Sequence, residues 1–373
     1  MSSPESGRLH YLDALRSMLM LFGLVLHASR PYDTYDWRVN DPAQWPVLDH
    51  VVWFLHLFRM PAFFVIAGFF AMYLVRRRPT GVFVAERARR TLIPLFVTLF
   101  TLNVAQAWFV SRVANGQGGD FLQDVLLPGL WSGSVVSHLW FLACLAVYFA
   151  LTALAAPWLR GLGSSGSAPS ARTLTFALVA IVAGAACFRV GVSVLDKLTQ
   201  PGLHQMLLGL VAPFTLLRYL PFFVVGLLLC AYPALLQRFA RFTPWVVVVA
   251  AAGAGGLYLS SGETGLMWKV VQLLSRAVLI WMVIRTLFAL FQRFANRPSA
   301  TMRYLSEASY SVYLFHHIVV VVAATLLIPY ALPVPFKFAL VLLAAASISL
   351  AVYHGVIRRS PVFSYLFNGA IRP

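Results

Sequence analysis

LDALRSMLMLFGLVLHA, residues Leu12–Ala28, decides how this chain is read. It is long and apolar enough to cross a bilayer, yet it carries Asp13, Arg16 and His27. Ionisable groups inside a bilayer are costly, so they mark an aqueous path or a reaction site. A helix turns 100° per residue, so the step from Arg16 to His27 returns to within roughly 20° of one face, about 16 Å along the axis. Asp13 stands one turn before Arg16, placed to pair with it and orient it. An ion pair joining two helices, with His27 at an interface, is the structural alternative. Three polar groups along one face favour function, with His27 as a general base because imidazole accepts a proton near neutral pH.

Outward from that stretch the chain stays apolar. Hydrophobic residues make up 60% and charged residues 11%, with mean hydropathy +0.78. A soluble domain carries about a quarter charged residues. Apolar runs near the twenty residues that span a bilayer recur along the chain. We read an all-α, polytopic integral membrane protein of about ten transmembrane helices, a single domain over 1–373. The spans are 11–29, 48–75, 91–112, 138–157, 173–194, 206–230, 244–260, 267–291, 306–328 and 335–357. The first lacks a small-residue cleavage site and reads as a retained helix rather than a leader.

The net charge of +17 is explained by topology rather than by nucleic acid. Connections after even-numbered spans hold Arg76–Arg78, Arg87, Arg89, Arg90, Arg160, Arg172, Arg238, Arg241, Arg293, Arg297 and Arg303, and the tail adds Arg358, Arg359 and Arg372. Connections after odd-numbered spans hold only Arg30, Arg38, Lys197 and Arg112. Both termini are therefore expected in the cytoplasm, in a bacterial-type inner membrane, with Arg16 on the cytoplasmic side and His27 on the far side. The Gly/Ser-rich loop Leu159–Arg172 is the one linker-like stretch. Cys144, Cys187 and Cys230 lie in apolar spans and read as buried structural thiols.

Four further constellations carry chemistry. His50, His56 and Arg59 precede Pro61, which should kink the second helix, and Gly68, which allows close packing. His56 and Arg59 share a face and either pack or line the same cavity as the first helix, as substrate-binding candidates. Arg87 and Arg90 stand one turn apart where the third helix begins, a fork suited to phosphate oxygens unless it only anchors topology. His138 and Trp140 open the fourth helix, with Trp140 an acceptor-side contact or an interfacial anchor. Ser309, Tyr310, Tyr313, His316 and His317 share the ninth. The external segment Arg30–Pro46 mixes Tyr32, Asp33, Tyr35, Asp36, Trp37, Arg38, Asn40 and Asp41; it suits sugar binding or forms an aromatic belt. No set of ligands has metal spacing, so no metal is expected. No glycine-rich phosphate loop occurs, which argues against ATP.

These pieces resemble one family. LDALRSMLMLFGLVLH (12–27), FRMPAFFVIAGFF (58–70), RARRTLIP (87–94), HLWFL (138–142) and SYSVYLFHH (309–317) resemble, in order, motifs of the membrane acyltransferase 3 family. Five weak motifs in order, from Tyr11 to His317, are specific. The opening YLDALR, with FRMP and HLWFL, is most similar to a group of glucan succinyltransferases. The resemblance implies ten core helices and transfer of an acyl group from cytoplasmic acyl-CoA to an extracytoplasmic acceptor. Carried over by position, Arg16 and His27 match the first-helix pair, Arg87 and Arg90 the Arg-x-x-Arg pair, and His316 the late histidine. Some members attach a C-terminal soluble transferase domain; this chain stops soon after the tenth helix, so transfer by such a domain is not expected.

The expected reaction is O-acylation of a periplasmic glucan or other glycan, with succinyl-CoA or acetyl-CoA as donor substrate and no permanently bound cofactor. Arg87 and Arg90 hold the donor phosphates, and the pantetheine arm threads past Arg16. His27 deprotonates the sugar hydroxyl or itself carries the acyl group. His316, Tyr313 and Arg16 are candidate oxyanion donors. Arg59, Arg189 and Arg218 are candidate partners for a succinyl carboxylate, unless Arg189 pairs with Asp196 or snorkels. The rival from another class is a transporter or flippase exporting a glycan or small anion, which also fits ten helices and intramembrane charge. No inverted repeat supports it. Partners are thus the acyl donor, the glycan and membrane lipid; the oligomeric state is not legible.

Overall fold

The computed structural model of the chain describes residues 9–163, 170–199 and 202–371. Residues 164–169 of the linker-like Gly/Ser stretch lie outside the described residues, as does Arg372. Among those described, regular structure is helical apart from one isolated bridge between Leu207 and Val211. Nine helices among the described residues are long and apolar enough to cross a membrane. They are α1 (His10–Ser29), α2 (Val47–Arg77), α3 (Thr80–Ala114), α4 (Phe121–Leu154), α5 (Arg172–Thr199), α6 (Pro213–Ala231), α8 (Leu266–Phe294), α9 (Ala300–Leu327) and α10 (Val334–Ile357). A bent pair, α7, Pro233–Ala240 and Pro244–Leu259 at 70°, passes the same length and composition test only when taken together, which makes ten spans if the pair is one span and nine if it is a re-entrant loop. The seventh predicted span is the second of these, and at 16 residues it reaches bilayer length only with its partner. A short helix, α11 (Pro361–Asn368), follows.

Local chemistry sets the boundaries. Pro213, Pro233, Pro244 and Pro361 each stand in the first turn of a helix, where the missing N–H costs nothing. The Ser299 hydroxyl caps α9 by accepting from Met302 N–H. In α3 two π-helical segments, Leu99–Asn103 and Val110–Ala114, bracket the turn Val104–Phe109. Such bulges are frequent at functional sites.

α1 is the central element, packed on α2, α8, α9 and α10. Its leucines Leu12, Leu15, Leu19, Leu24 and Leu26 are buried, which leaves its polar face directed into the bundle. α2 crosses α6 through a reciprocal glycine contact. A Cβ at Gly68 would lie 2.0 Å from the Phe223 carbonyl oxygen, and one at Gly226 would lie 2.0 Å from the Val65 carbonyl oxygen. Both obstacles are backbone, so neither side chain can swing away. Gly68→Ala is expected to separate the two helices and destabilise the fold by about 3 kcal/mol, the upper part of the overpacking range. A lowered midpoint of thermal unfolding in detergent is the check; an unchanged midpoint would refute the close crossing.

The cysteines depart from the reading above. Cys144 is buried, Cys230 is half-buried and Cys187 is exposed on the outside of α5. An apolar span has a lipid side as well as a protein side, and a small apolar thiol suits either.

Candidate active site

Three helices and one loop bring four imidazoles together. The His27 ring lies 5.2 Å from that of His316 and 5.0 Å from that of His317, centre to centre. His138 stacks on His317 at 4.7 Å and meets His316 edge-on at 5.7 Å. Trp37, from the loop after α1, closes the cluster at 6.4 Å from His27 and 5.4 Å from His317. His138, His316 and His317 are buried, whereas His27 is half-buried.

The hydrogen bonds assign protons. Val312 carbonyl oxygen can only accept, so His316 Nδ1 at 2.9 Å carries the hydrogen and Nε2 presents a lone pair. Gln106 Oε1 accepts from His317 Nδ1 at 2.6 Å. Tyr313 donates its hydroxyl proton to the His138 carbonyl oxygen at 2.7 Å. Nδ1 of His27, Nε2 of His316 and both ring nitrogens of His138 are buried with no hydrogen-bond partner among the described residues. Buried polar atoms are normally satisfied, so four such atoms in one cluster mark a place for a ligand.

Arg59 approaches the same cluster from α2. It is buried, and its Nη1 would lie 2.6 Å from a Cβ at Gly23, one turn before His27. Glycine at 23 thus lets a guanidinium rest against the α1 backbone below His27.

At the other end of α1 is a cavity of about 530 Å³. Arg16, Arg87, Arg90 and Arg303 line it against one carboxylate, Glu307, so it favours an anion. Arg16 Nη2 donates to Ser306 Oγ at 2.6 Å and lies 3.6 Å from Asp13 Oδ1. The cavity reaches Met20, Phe63 and Phe141. Phe63 is one turn from Arg59 and Phe141 one turn from His138. Their rings are 5.5 Å apart, and Phe141 lies 6.3 Å from Tyr313. This aromatic floor divides the cavity from the imidazoles above it.

A cationic pocket at one end of a central helix, and a histidine cluster at the other, suit chemistry performed across a membrane. Comparison with known proteins decides the family. The family model for the acyltransferase domain, acyltransferase 3, matches residues 9–354. The chain belongs to the acyltransferase 3 family. It is similar to Glucans biosynthesis protein C of Escherichia coli (strain SMS-3-5 / SECEC), 28% identical over 382 residues, covering 99% of this chain and 96% of the relative. Glucans biosynthesis protein C of Salmonella typhi is also 28% identical, covering 99% and 97%. No solved structure matches the chain. It is thus a multi-pass membrane acyltransferase.

The acyltransferase 3 motifs sort into two places. His27, His138, His316 and Tyr313 meet, with Arg59 beside them, while Arg16, Asp13, Arg87 and Arg90 gather at the opposite end. Two candidates fall outside both groups. His56 is exposed, with Nδ1 turned back on the Val52 carbonyl oxygen at 3.1 Å. Trp140 stacks on Tyr219 of α6 at 5.3 Å instead of entering the cluster. Arg16 does not reach the imidazoles, and Tyr313 spends its only proton on His138, so neither is placed to stabilise an oxyanion there. Asp196 lies 2.9 Å from His204 Nε2, so it is His204, not Arg189, that it contacts.

Sequence reading missed Gln106 and Asn103. Asn103 Nδ2 donates to the carbonyl oxygens of Val135 and Val136 at 2.8 and 3.0 Å, which holds the chain just before His138. Gln106 holds His317. The available signal was two amides one turn apart inside an otherwise apolar span. The loop after α1 is built differently from its sugar-binding reading. Asp33 and Asp41 are buried, Asp33 against Arg30 at 2.6 Å and Asp41 against Lys337 at 2.6 Å. Burial holds the Asp33 carboxyl above its ordinary range although Arg30 opposes the shift. Burial likewise lowers Arg38, whose Nη2 donates to the Ser134 carbonyl oxygen. The loop's charges fasten it down, and its Trp37 supplies a wall of the cluster.

Proposed function

We propose that this acyltransferase moves an acyl group, succinyl in preference to acetyl, from cytoplasmic acyl-CoA to a hydroxyl of a periplasmic glycan. The termini are then cytoplasmic in an inner membrane, as the arginine distribution favours. The observation that carries this reading is the polarity of α1. A cation-lined cavity of about 530 Å³ opens at its Arg16 end, and an imidazole cluster with unsatisfied nitrogens sits at its His27 end. A glucan as acceptor is supported by the relatives' name.

The chemistry follows from these residues. Arg87, Arg90 and Arg16 bind the phosphates of the donor, and the thioester end points toward Phe63 and Phe141, whose rings, 5.5 Å apart, must part to admit it. His27, the accessible imidazole, takes the proton of the sugar hydroxyl. The oxygen attacks the thioester carbonyl, and the tetrahedral intermediate collapses with loss of the CoA thiolate. The imidazolium returns its proton to that sulfur. Arg59 is the cation nearest the reacting centre, placed for the developing oxyanion or for a succinyl carboxylate. Gln106 and the Val312 carbonyl fix the tautomers of His317 and His316, which keeps the neighbouring rings in one orientation.

Reconstituted protein supplied with acyl-CoA and a glucan oligosaccharide should yield a product heavier by one acyl group in mass spectrometry. Arg87→Gln combined with Arg90→Gln is expected to raise KM for acyl-CoA at least about tenfold, since a charge-assisted hydrogen bond is worth roughly 1.5–3 kcal/mol. Unchanged KM would remove these residues from the donor site. Absence of any acylated product with either succinyl-CoA or acetyl-CoA would overturn the reading itself.

A further inference from the structure

A second cavity lies away from the Arg16 end of α1 and from the histidine cluster. About 900 Å³ opens between α2, α5, α7 and α8. Its walls come from the start of α2, the end of α5, the end of α7 and the start of α8, so it opens at the His27 end of the bundle. None of the four clustered histidines lines it.

Four cations line it in two tiers. Lys197 and Lys269 stand near the mouth. Arg189 and Arg276 each lie ten residues inside their helix ends (189 to 199, and 266 to 276), about 15 Å deep. None of the four side chains makes an ion pair or hydrogen bond among the described residues, and the Nε atoms of both arginines are buried without a partner. Arg218 of α6 adds a further positive charge within electrostatic range of both arginines. The lining carboxylate, Asp49, is already engaged, accepting from Thr34 N and Oγ1 at 2.9 and 2.7 Å. Guanidinium groups gathered at mid-membrane depth with no counter-charge are unfavourable unless an anion enters. Three aromatic faces, Tyr35, Trp53 and Tyr258, stand among the lining residues.

We infer that this cavity binds an anionic carbohydrate, sugar rings bearing carboxylate or phosphate groups that enter from the periplasmic side. The assignment rests on the proposed transfer to a glycan. It makes the cavity a second carbohydrate site, selective for chains that already carry negative substituents. The two tiers account for the choice of ligand. A phospholipid headgroup stays at the interface of a hydrocarbon core about 30 Å thick, whereas the arginine tier lies near its middle. A hydrophilic chain can pass its anionic groups down from lysines to arginines while its rings rest on the aromatic side chains.

The test is binding to the detergent-purified full chain. The probes are a β-glucan oligosaccharide, the same oligosaccharide after chemical succinylation, inorganic phosphate, and phosphatidylglycerol vesicles. The succinylated sugar is expected to bind at least tenfold more tightly than the neutral one at low salt, with the advantage shrinking as salt rises. Arg189→Gln with Arg276→Gln should abolish the preference, and Arg189→Lys with Arg276→Lys should restore much of it. The mouth variant Lys197→Gln with Lys269→Gln, on exposed ends, should weaken it severalfold. Equal affinity for both sugars, or a preference that both glutamine variants retain, would overturn the inference. So would displacement of the succinylated sugar by the vesicles or by equimolar phosphate. A His27→Ala protein separates the two claims. Loss of transfer with the charge preference intact supports both, and normal transfer by that variant removes the base assignment without touching the cavity.

Discussion

Replacing His27 by Ala is expected to lower acyl-transfer turnover by about 10²–10⁴-fold, the range for a positioned general base. The argument is one of access as well as chemistry. Of the four imidazoles in the cluster, His27 is the one that is not buried, and its Nδ1 has no partner among the described residues. His316 and His317 have Nδ1 committed to Val312 and Gln106. Donor KM should change little, because the arginines proposed to bind the donor stand at the far end of α1, about 16 Å away. Single-turnover transfer measured with the purified variant decides it. A rate within tenfold of the parent would move the base to His316, whose Nε2 is buried without a hydrogen-bond partner and whose ring lies 5.2 Å from that of His27. Incubation of the parent with acyl-CoA alone, followed by intact mass, tests the covalent route: an added acyl group lost in His27→Ala would make His27 the carrier.

The largest effect on stability is expected from Lys337→Met. Lys337 Nζ lies 2.6 Å from Asp41 Oδ2, and both side chains are 3% exposed. Removing one partner leaves a carboxylate buried without its counter-charge, which costs about 3–5 kcal/mol. Asp41 also accepts from Ala43 N at 2.9 Å, so the loss spreads into the loop after α1. That loop carries Trp37, which touches His27 and His317, so activity should fall along with the unfolding midpoint. Lys337→Met with Asp41→Asn should recover much of the stability, since the buried charge is then gone. A single variant within about 1 kcal/mol of the parent would show that the pair contributes nothing.

The nine long apolar helices were legible because hydropathy is a local property. Each needs some twenty apolar residues in a row, whatever its neighbours do. The seventh predicted span shows the limit of that rule: a 70° bend at Arg241–Thr243 divides it between two short helices. Arg16 and His27 on one face were equally legible, because helical period is fixed by the backbone alone. His56 and Arg59 show where this reasoning ends. They stand one turn apart, yet one is exposed and the other lies against Gly23 beneath the cluster. Helical spacing says that two side chains are neighbours, and only the packing partners say which of them faces the bundle. The loop after α1 teaches the same lesson through charge. Acidic and aromatic residues at a surface resemble a sugar site, but the cations that bury Asp33 and Asp41 lie at Arg30 and at Lys337, the latter almost three hundred residues away.

By itself, then, the sequence determined the membrane class, the nine long apolar helices, the ordered motifs of an acyltransferase 3 protein and the two-ended polarity of α1. All of these depend on residue type and on spacing within one segment. Tertiary structure decided that His27, His138 and His316 meet, that His317 and Gln106 complete their setting, and that Trp140 and His56 stand apart. It also decided that Arg189 and Arg276 share a cavity of their own. These are relations between segments far apart in the chain, set by helix rotation and close crossings such as Gly68 on Gly226. No periodicity within a single helix encodes them.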